Sequence, residues 1–250
     1  MPSLSHPVYR HLMNYFSPLV RKTDPHRARL QSTPALLIGL TIAAGLVLDQ
    51  YGGAWATLAV SLWTWGLLAT LLYQAAPAKR GAMLACLLFA TAGELFLALV
   101  WGLYTYREAG LPLFVPPGHV LLYLLGLSLA ERMPSSLVRP IGATAALAAA
   151  VLWATGVDEL SAILVALFLL CLRFGPAPRL YATMFLLSLT MELWGTWLGN
   201  WHWQASAPWL GWSTVNPPFA AGAFYCVLDM LVGLTTSRRP APTPQLSRKY

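Results

Sequence analysis

The chain has 250 residues, 57% of them apolar and only 10% charged, against about 25% charged in an ordinary soluble domain. That balance excludes a water-soluble globule and points to a polytopic membrane protein of the all-α class. A net charge of +7 would suggest nucleic acid in a soluble protein, but here the placement of the charges accounts for it without such a partner.

Residues 1–33 form a polar, basic segment carrying Arg10, Arg21, Lys22, Arg27 and Arg29. Val8, Leu12, Phe16 and Leu19 recur there at helical spacing. The segment therefore reads either as a short helix lying on the membrane surface or as an unstructured tail. No cleavable signal is expected, because the first apolar run starts only near Pro34 and lacks a clean cleavage site. Eight apolar runs follow, at roughly 34–50, 54–75, 82–104, 117–131, 139–156, 159–173, 180–198 and 218–236. They predict a single transmembrane domain over 34–236 with about eight helices, followed by a basic tail over 237–250. Several runs are shorter than the ~20 residues that cross the hydrocarbon core squarely. Cys86, Cys171 and Cys226 all fall inside apolar runs and read as free, packed thiols.

Eight crossings with a cytoplasmic N-terminus put fifteen of the sixteen Lys and Arg on the inner side, leaving Arg107 outside. Asp49, Glu108, Asp158 and Glu159 fall in the outer loops. The positive-inside rule then gives both termini as cytoplasmic, in a bacterial-type inner membrane.

Two stretches share one order of residues. The first runs from Glu94 through an aromatic helix end and an outer loop to Pro116-Pro117 and a new helix with Tyr123. The second runs from Glu192 through Trp201 and Trp203 to Asn216-Pro217-Pro218 and a helix with Tyr225 and Asp229. Each occupies the third and fourth helices of a four-helix half, which suggests a tandem duplication with parallel halves. Order and spacing alone carry that reading, and chance similarity stands beside it.

Glu94, Glu192 and Asp229 are the ionisable groups expected at membrane depth, and an intramembrane carboxylate is by default a candidate functional group. The bland alternative is an acid hydrogen-bonded between helices. A helix running on to Tyr104 would put Glu94 about 15 Å below its outer end, and Asp229 falls at a similar depth. If the third, fourth, seventh and eighth helices converge, the three acids meet around one cavity. Their crowding would then set a proton donor beside a base. His119 opens the fourth helix, and His202 lies between two tryptophans. With the acids they form a weak candidate metal set, whose ordinary readings are a helix-start side chain and an interfacial one. Trp101, Tyr104, Trp197 and Trp201 surround the outer ends of the two Glu-bearing helices. They read as an interfacial belt or as an aromatic wall for a polyene or a developing cation. Tyr123, Tyr225 and Asn216 complete the candidate binding set. Gly195 and Gly199 suggest a helix-packing seam, or a gap for a flat ligand. No Walker loop, GxSxG, HExxH or haem-attachment pattern occurs, so no cofactor is expected.

The pattern Glu192-x-x-Gly195-x-x-x-Gly199-x-Trp201-x-Trp203, followed by a loop and a proline turn, resembles integral-membrane carotenoid-biosynthesis proteins of the bisanhydrobacterioruberin hydratase and small-subunit lycopene cyclase type. The cyclases carry acidic residues directly after their proline, where this chain has Phe219-Ala220-Ala221. The resemblance implies an intramembrane Glu performing acid chemistry on polyene ends. The expectation is an intramembrane enzyme acting on a lipid-soluble isoprenoid or lipid. In it Glu192 or Asp229 protonates a double bond, Glu94 is the conjugate base or a water-positioning group, and Tyr123, Tyr225 and His119 act in support. A proton-coupled transporter, a non-catalytic membrane subunit and metal-dependent oxidation are the alternatives.

Overall fold

The computed structural model describes residues 25–236 except 109, with side chains from residue 34 onward. Among the described residues the fold is all-α, with one small two-stranded ribbon. Its helices are α1 (Pro25–Tyr51), α2 (Gly53–Gln74), α3 (Pro77–Glu94), α4 (Val115–Ala130), α5 (Val138–Ala154), α6 (Leu160–Phe174), α7 (Pro178–Leu198) and α8 (Gly222–Thr236). The first helix starts nine residues before the apolar run, and Pro34 lies inside it. The surface helix considered for the N-terminal segment lies mostly in residues 1–24, outside the described residues, as does the tail after 236.

Four stretches are long and apolar enough to cross a membrane: 34–51, 53–74, 77–100 and 135–154. The helices α4, α6 and α8 are apolar but have only 16, 15 and 15 residues. At the usual rise they reach about 22–24 Å, short of a ~30 Å hydrocarbon core. Large apolar side chains such as Trp55, Leu62, Leu88 and Leu147 point outward. An apolar exterior of this kind is compatible with a membrane protein.

At the centre, α3 packs on α4 and α8, and α7 packs on the same two helices, so the four close a ring in the order α3, α4, α7, α8. On one side α1 covers α4 and α7, with α2 beside it. On the other, α6 covers α7 and α8, with α5 beside it. The ring closes tightly because small residues sit where backbones meet. A Cβ on Gly222 of α8 would lie 2.4 Å from the Phe185 carbonyl oxygen of α7. The third helix does not run on to Tyr104. It passes into a π-helical turn at Leu95–Val100, and the chain then reverses into β1 (Tyr104–Tyr106). Likewise α7 ends at Gly199, whose φ of 89° is the left-handed cap that glycine adopts freely, and leads into β2 (Trp201–Trp203). The strands pair antiparallel, Tyr104 opposite Trp203 and Tyr106 opposite Trp201.

Gly222→Ala should lower the melting temperature in detergent, through overpacking worth about 1–3 kcal/mol. Gly233→Ala on the same helix is the control, because its Cβ would meet only Pro176 at 3.9 Å. Equal melting of the two variants would remove the α7–α8 contact as the reason for that glycine.

Candidate functional site

Side chains alternate across a strand, so each three-residue strand turns its first and third residues to one face. The face of Thr105 and His202 is exposed, whereas Tyr104, Trp201 and Trp203 are buried and Tyr106 is partly buried. Those four side chains reach down onto two acids. The Tyr104 and Tyr106 hydroxyls donate to Glu94 Oε2 at 2.7 and 2.6 Å. The Trp201 and Trp203 indole nitrogens donate to Glu192 Oε2 at 2.8 and 3.1 Å. In both cases the other carboxylate oxygen meets the helix that follows. His119 Nε2 on α4 lies 3.1 Å from Glu94 Oε1, and the Tyr225 hydroxyl on α8 donates to Glu192 Oε1 at 3.2 Å. The His119 and Tyr225 rings stack nearly parallel, 5.2 Å between centroids. The two acids are thus held by two sets of partners built the same way.

Hydrogen-bonding capacity limits where the protons can be. His119 Nδ1 lies 3.0 Å from the Val115 carbonyl, which can only accept, so Nδ1 carries a hydrogen. The contact between Nε2 and Glu94 Oε1 then holds one proton, on either the ring or the carboxyl. An indole N–H only donates, so Glu192 Oε2 is a pure acceptor. A proton on Glu192 must sit on Oε1, beside the Tyr225 hydroxyl.

The ribbon is fixed from outside. Asn200 Nδ2, just before β2, donates to Asp49 Oδ2 at 2.8 Å and to the Leu46 carbonyl at 3.0 Å. Arg107, just after β1, donates to the Asp49 carbonyl at 2.8 Å and pairs with the Asp49 carboxylate at 3.6 Å. The single Arg expected outside therefore ties the ribbon to the end of α1. Asp158 has a comparable role near α8, accepting from the Phe219 amide at 2.8 Å and from Ser161 at 2.6 Å.

Two cavities meet at this cluster. The larger, about 690 Å³ including the part open to the outside, is walled by α1, α2 and α4 through residues such as Ile42, Leu46, Val60 and Leu122. The other, about 430 Å³ on the same measure, lies between α3 and α8, among Phe89, Gly93, Leu97, Phe224 and Leu228. Glu94, Tyr104, His119, Glu192 and Tyr225 line both.

The remaining candidates fall elsewhere. Asp229 is buried but lines neither cavity, and neither of its oxygens has a protein partner. It lies one turn beyond Tyr225 on α8, within electrostatic reach of Cys86, Tyr123, Tyr181 and Cys226. Tyr123 is buried and lines neither cavity. Trp101 donates to the Pro208 carbonyl at 2.6 Å and stacks on Trp209 at 5.7 Å, away from the cavities. Trp197 is 74% exposed and lines neither cavity. His202 is exposed, 3.0 Å from Asn216 Nδ2, and Asn216 Oδ1 accepts from the Trp203 amide at 2.9 Å, so this pair shapes the ribbon. Within the expected glycine seam, a Cβ on Gly199 would meet Gln50 of α1 at 3.4 Å, whereas Gly195 faces the ribbon. A Cβ on Gly195 would lie 2.0 Å from the Trp201 ring, so that glycine seats the indole over Glu192. Tyr106 and Trp203 are the cluster members absent from the candidate set read from the sequence. Among the described residues no group of three His, Cys, Asp or Glu is arranged to hold a metal ion.

Fold and site together define a class: an all-α bundle, with helices of membrane-crossing length, that holds two aromatic-clamped acids between apolar cavities. No family model, curated protein or solved structure matches the chain.

Hydrogen bonds to a buried carboxylate are worth about 1.5–3 kcal/mol, so Trp203→Phe should lower the melting temperature clearly. Trp197→Phe should leave it unchanged. Similar melting of the two variants would mean that the indole bonds to Glu192 do not hold the ribbon.

Proposed function

We propose that the protein is an intramembrane enzyme that transfers protons to and from a lipid-soluble isoprenoid at the Glu192–Tyr225 and Glu94–His119 pairs. One observation carries the reading. Two acids whose second oxygens each meet another proton-handling group lie at the junction of two largely apolar cavities. The Glu192 carboxyl gives its Oε1 proton to one carbon of a double bond, and the π electrons form the new C–H bond. The cation left on the neighbouring carbon faces the Trp201, Trp203 and Tyr104 rings, which stabilise positive charge. The cation then loses an adjacent proton to the Glu94–His119 pair, shifting the double bond; or a second double bond of the same chain attacks it, forming the C–C bond of a ring whose new cation loses a proton to that pair; or it takes a water whose proton goes to that pair. Proton return to Glu192 completes the cycle. The resemblance of the Glu192–Trp203 segment to carotenoid-biosynthesis proteins supports the same chemistry.

The active form in this reading spans the membrane eight times, with both termini on the cytoplasmic side of a bacterial-type inner membrane. The charge split of fifteen to one supports that topology. The matched partner sets of Glu94 and Glu192 support descent from a duplicated four-helix unit. Matched halves also suit a proton-coupled carrier, the second reading. A carrier would move its cargo across vesicles chemically unchanged.

Two experiments test this. Reporter fusions after Arg80, Glu108, Pro140 and Trp203 should read in, out, in, out, and a reversed pair overturns the topology. Purified protein incubated in D₂O with squalene or lycopene should incorporate carbon-bound deuterium. Glu192→Gln should cut that incorporation about 10²-fold or more while melting much as the parent does, since Gln fits the site but is no acid. Asp229→Asn should retain binding of the hydrocarbon, because Asp229 lines neither cavity. Deuterium incorporation that is unchanged in both Glu192→Gln and Glu94→Gln removes the acid–base reading.

A further inference from the structure

We infer that the substrate threads the site, with hydrocarbon on both sides of the reacting double bond; this rests on the acid–base reading above. The two cavities reach the same five residues from different sides of the bundle. The larger lies where α1 and α2 cover α4, whereas the smaller opens at the α3–α8 seam, across the central ring. The polar cluster they share stands between them. Beyond it the smaller cavity is lined by apolar residues throughout. The larger adds Tyr106, whose hydroxyl donates to Glu94, together with Thr41, which accepts from Trp63 Nε1, and Thr64, which donates to the Val60 carbonyl.

A lipid with a polar head at the cluster would fill one arm and leave the other without an occupant. A chain that is apolar at both ends fills both, and the carbon at the cluster is then internal. Each arm also has a side-chain-free wall. A Cβ at Gly93 in the smaller cavity, or at Gly118 in the larger, would meet no heavy atom within 4 Å. Those openings leave width for methyl branches.

The same two glycines give the test. Delipidated protein is incubated with squalene, which is apolar at both ends, or with geranylgeraniol, whose hydroxyl can rest at the cluster with its chain in one arm. Bound lipid per protein is measured by mass spectrometry after gel filtration. Gly93→Phe and Gly118→Phe should each weaken squalene binding at least about tenfold. Geranylgeraniol binding should survive either plug alone, because the other arm remains. Gly93→Ala and Gly93→Leu grade the effect and decide the matter if the larger residue impairs folding. Unchanged squalene binding in Gly93→Leu and Gly93→Phe overturns threading and confines the chain to the larger cavity. A parent protein that binds neither lipid overturns the isoprenoid reading itself, a result distinct from failure of the plugs.

Discussion

Two carboxylates inside an apolar bundle must be given hydrogen-bond donors, and the architecture around them follows from that need. A charged or strongly polar side chain at membrane depth costs about 2.5–3.5 kcal/mol on insertion scales. Donors from a regular helix cannot meet that cost, because its backbone N–H groups are already used. The chain solves the problem by ending α3 and α7 early and folding a strand back over each acid. The π turn after Glu94 and the left-handed Gly199 after α7 are the two reversals that make this possible. Gly195 then leaves room for the Trp201 ring.

The choice of donors matters as much as their number. Glu192 receives two indoles, which cannot take a proton back, on Oε2. A proton on Glu192 is thereby confined to Oε1, the oxygen beside Tyr225. Glu94 receives two phenols on Oε2 and shares Oε1 with a histidine whose other nitrogen is committed to the Val115 carbonyl. Similar clamps thus leave one acid beside a hydroxyl and the other beside an imidazole. That difference in partner lets two acids at one junction take unlike roles.

The helices were legible in the sequence because hydrophobic runs and Pro or Gly breaks mark them directly. The eight runs fall close to the eight helices, although α1 starts earlier and α8 later than its run. Glu94, Glu192 and His119 could be singled out because polar groups are rare in such runs. The ribbon was not legible. Three residues are too few for an alternating pattern to stand out, and Tyr-Thr-Tyr and Trp-His-Trp look like the aromatic belt of any membrane protein. The extrapolated helix therefore put Tyr104 about 15 Å from Glu94, whereas the hydroxyl lies at hydrogen-bond distance. Asp229 shows the opposite limit. By sequence it falls at a depth similar to the glutamates, yet no strand returns over it and both its oxygens lack protein partners.

The ribbon also makes the two acids depend on each other. A pair of three-residue strands has no independent stability in water or lipid. Here each strand is held by the other, by the acid beneath it, and by the Asp49–Asn200–Arg107 contacts at the end of α1. Asn200 belongs to the Glu192 stretch, Arg107 to the Glu94 stretch, and Asp49 to neither. The donors for one acid are therefore in register only while those for the other are in place. A bundle carrying just one Glu-and-strand unit would have an unpaired strand and an incompletely satisfied buried acid, a costly arrangement. Both stretches are needed for either acid to be stable, so the site belongs to the pair and not to one half.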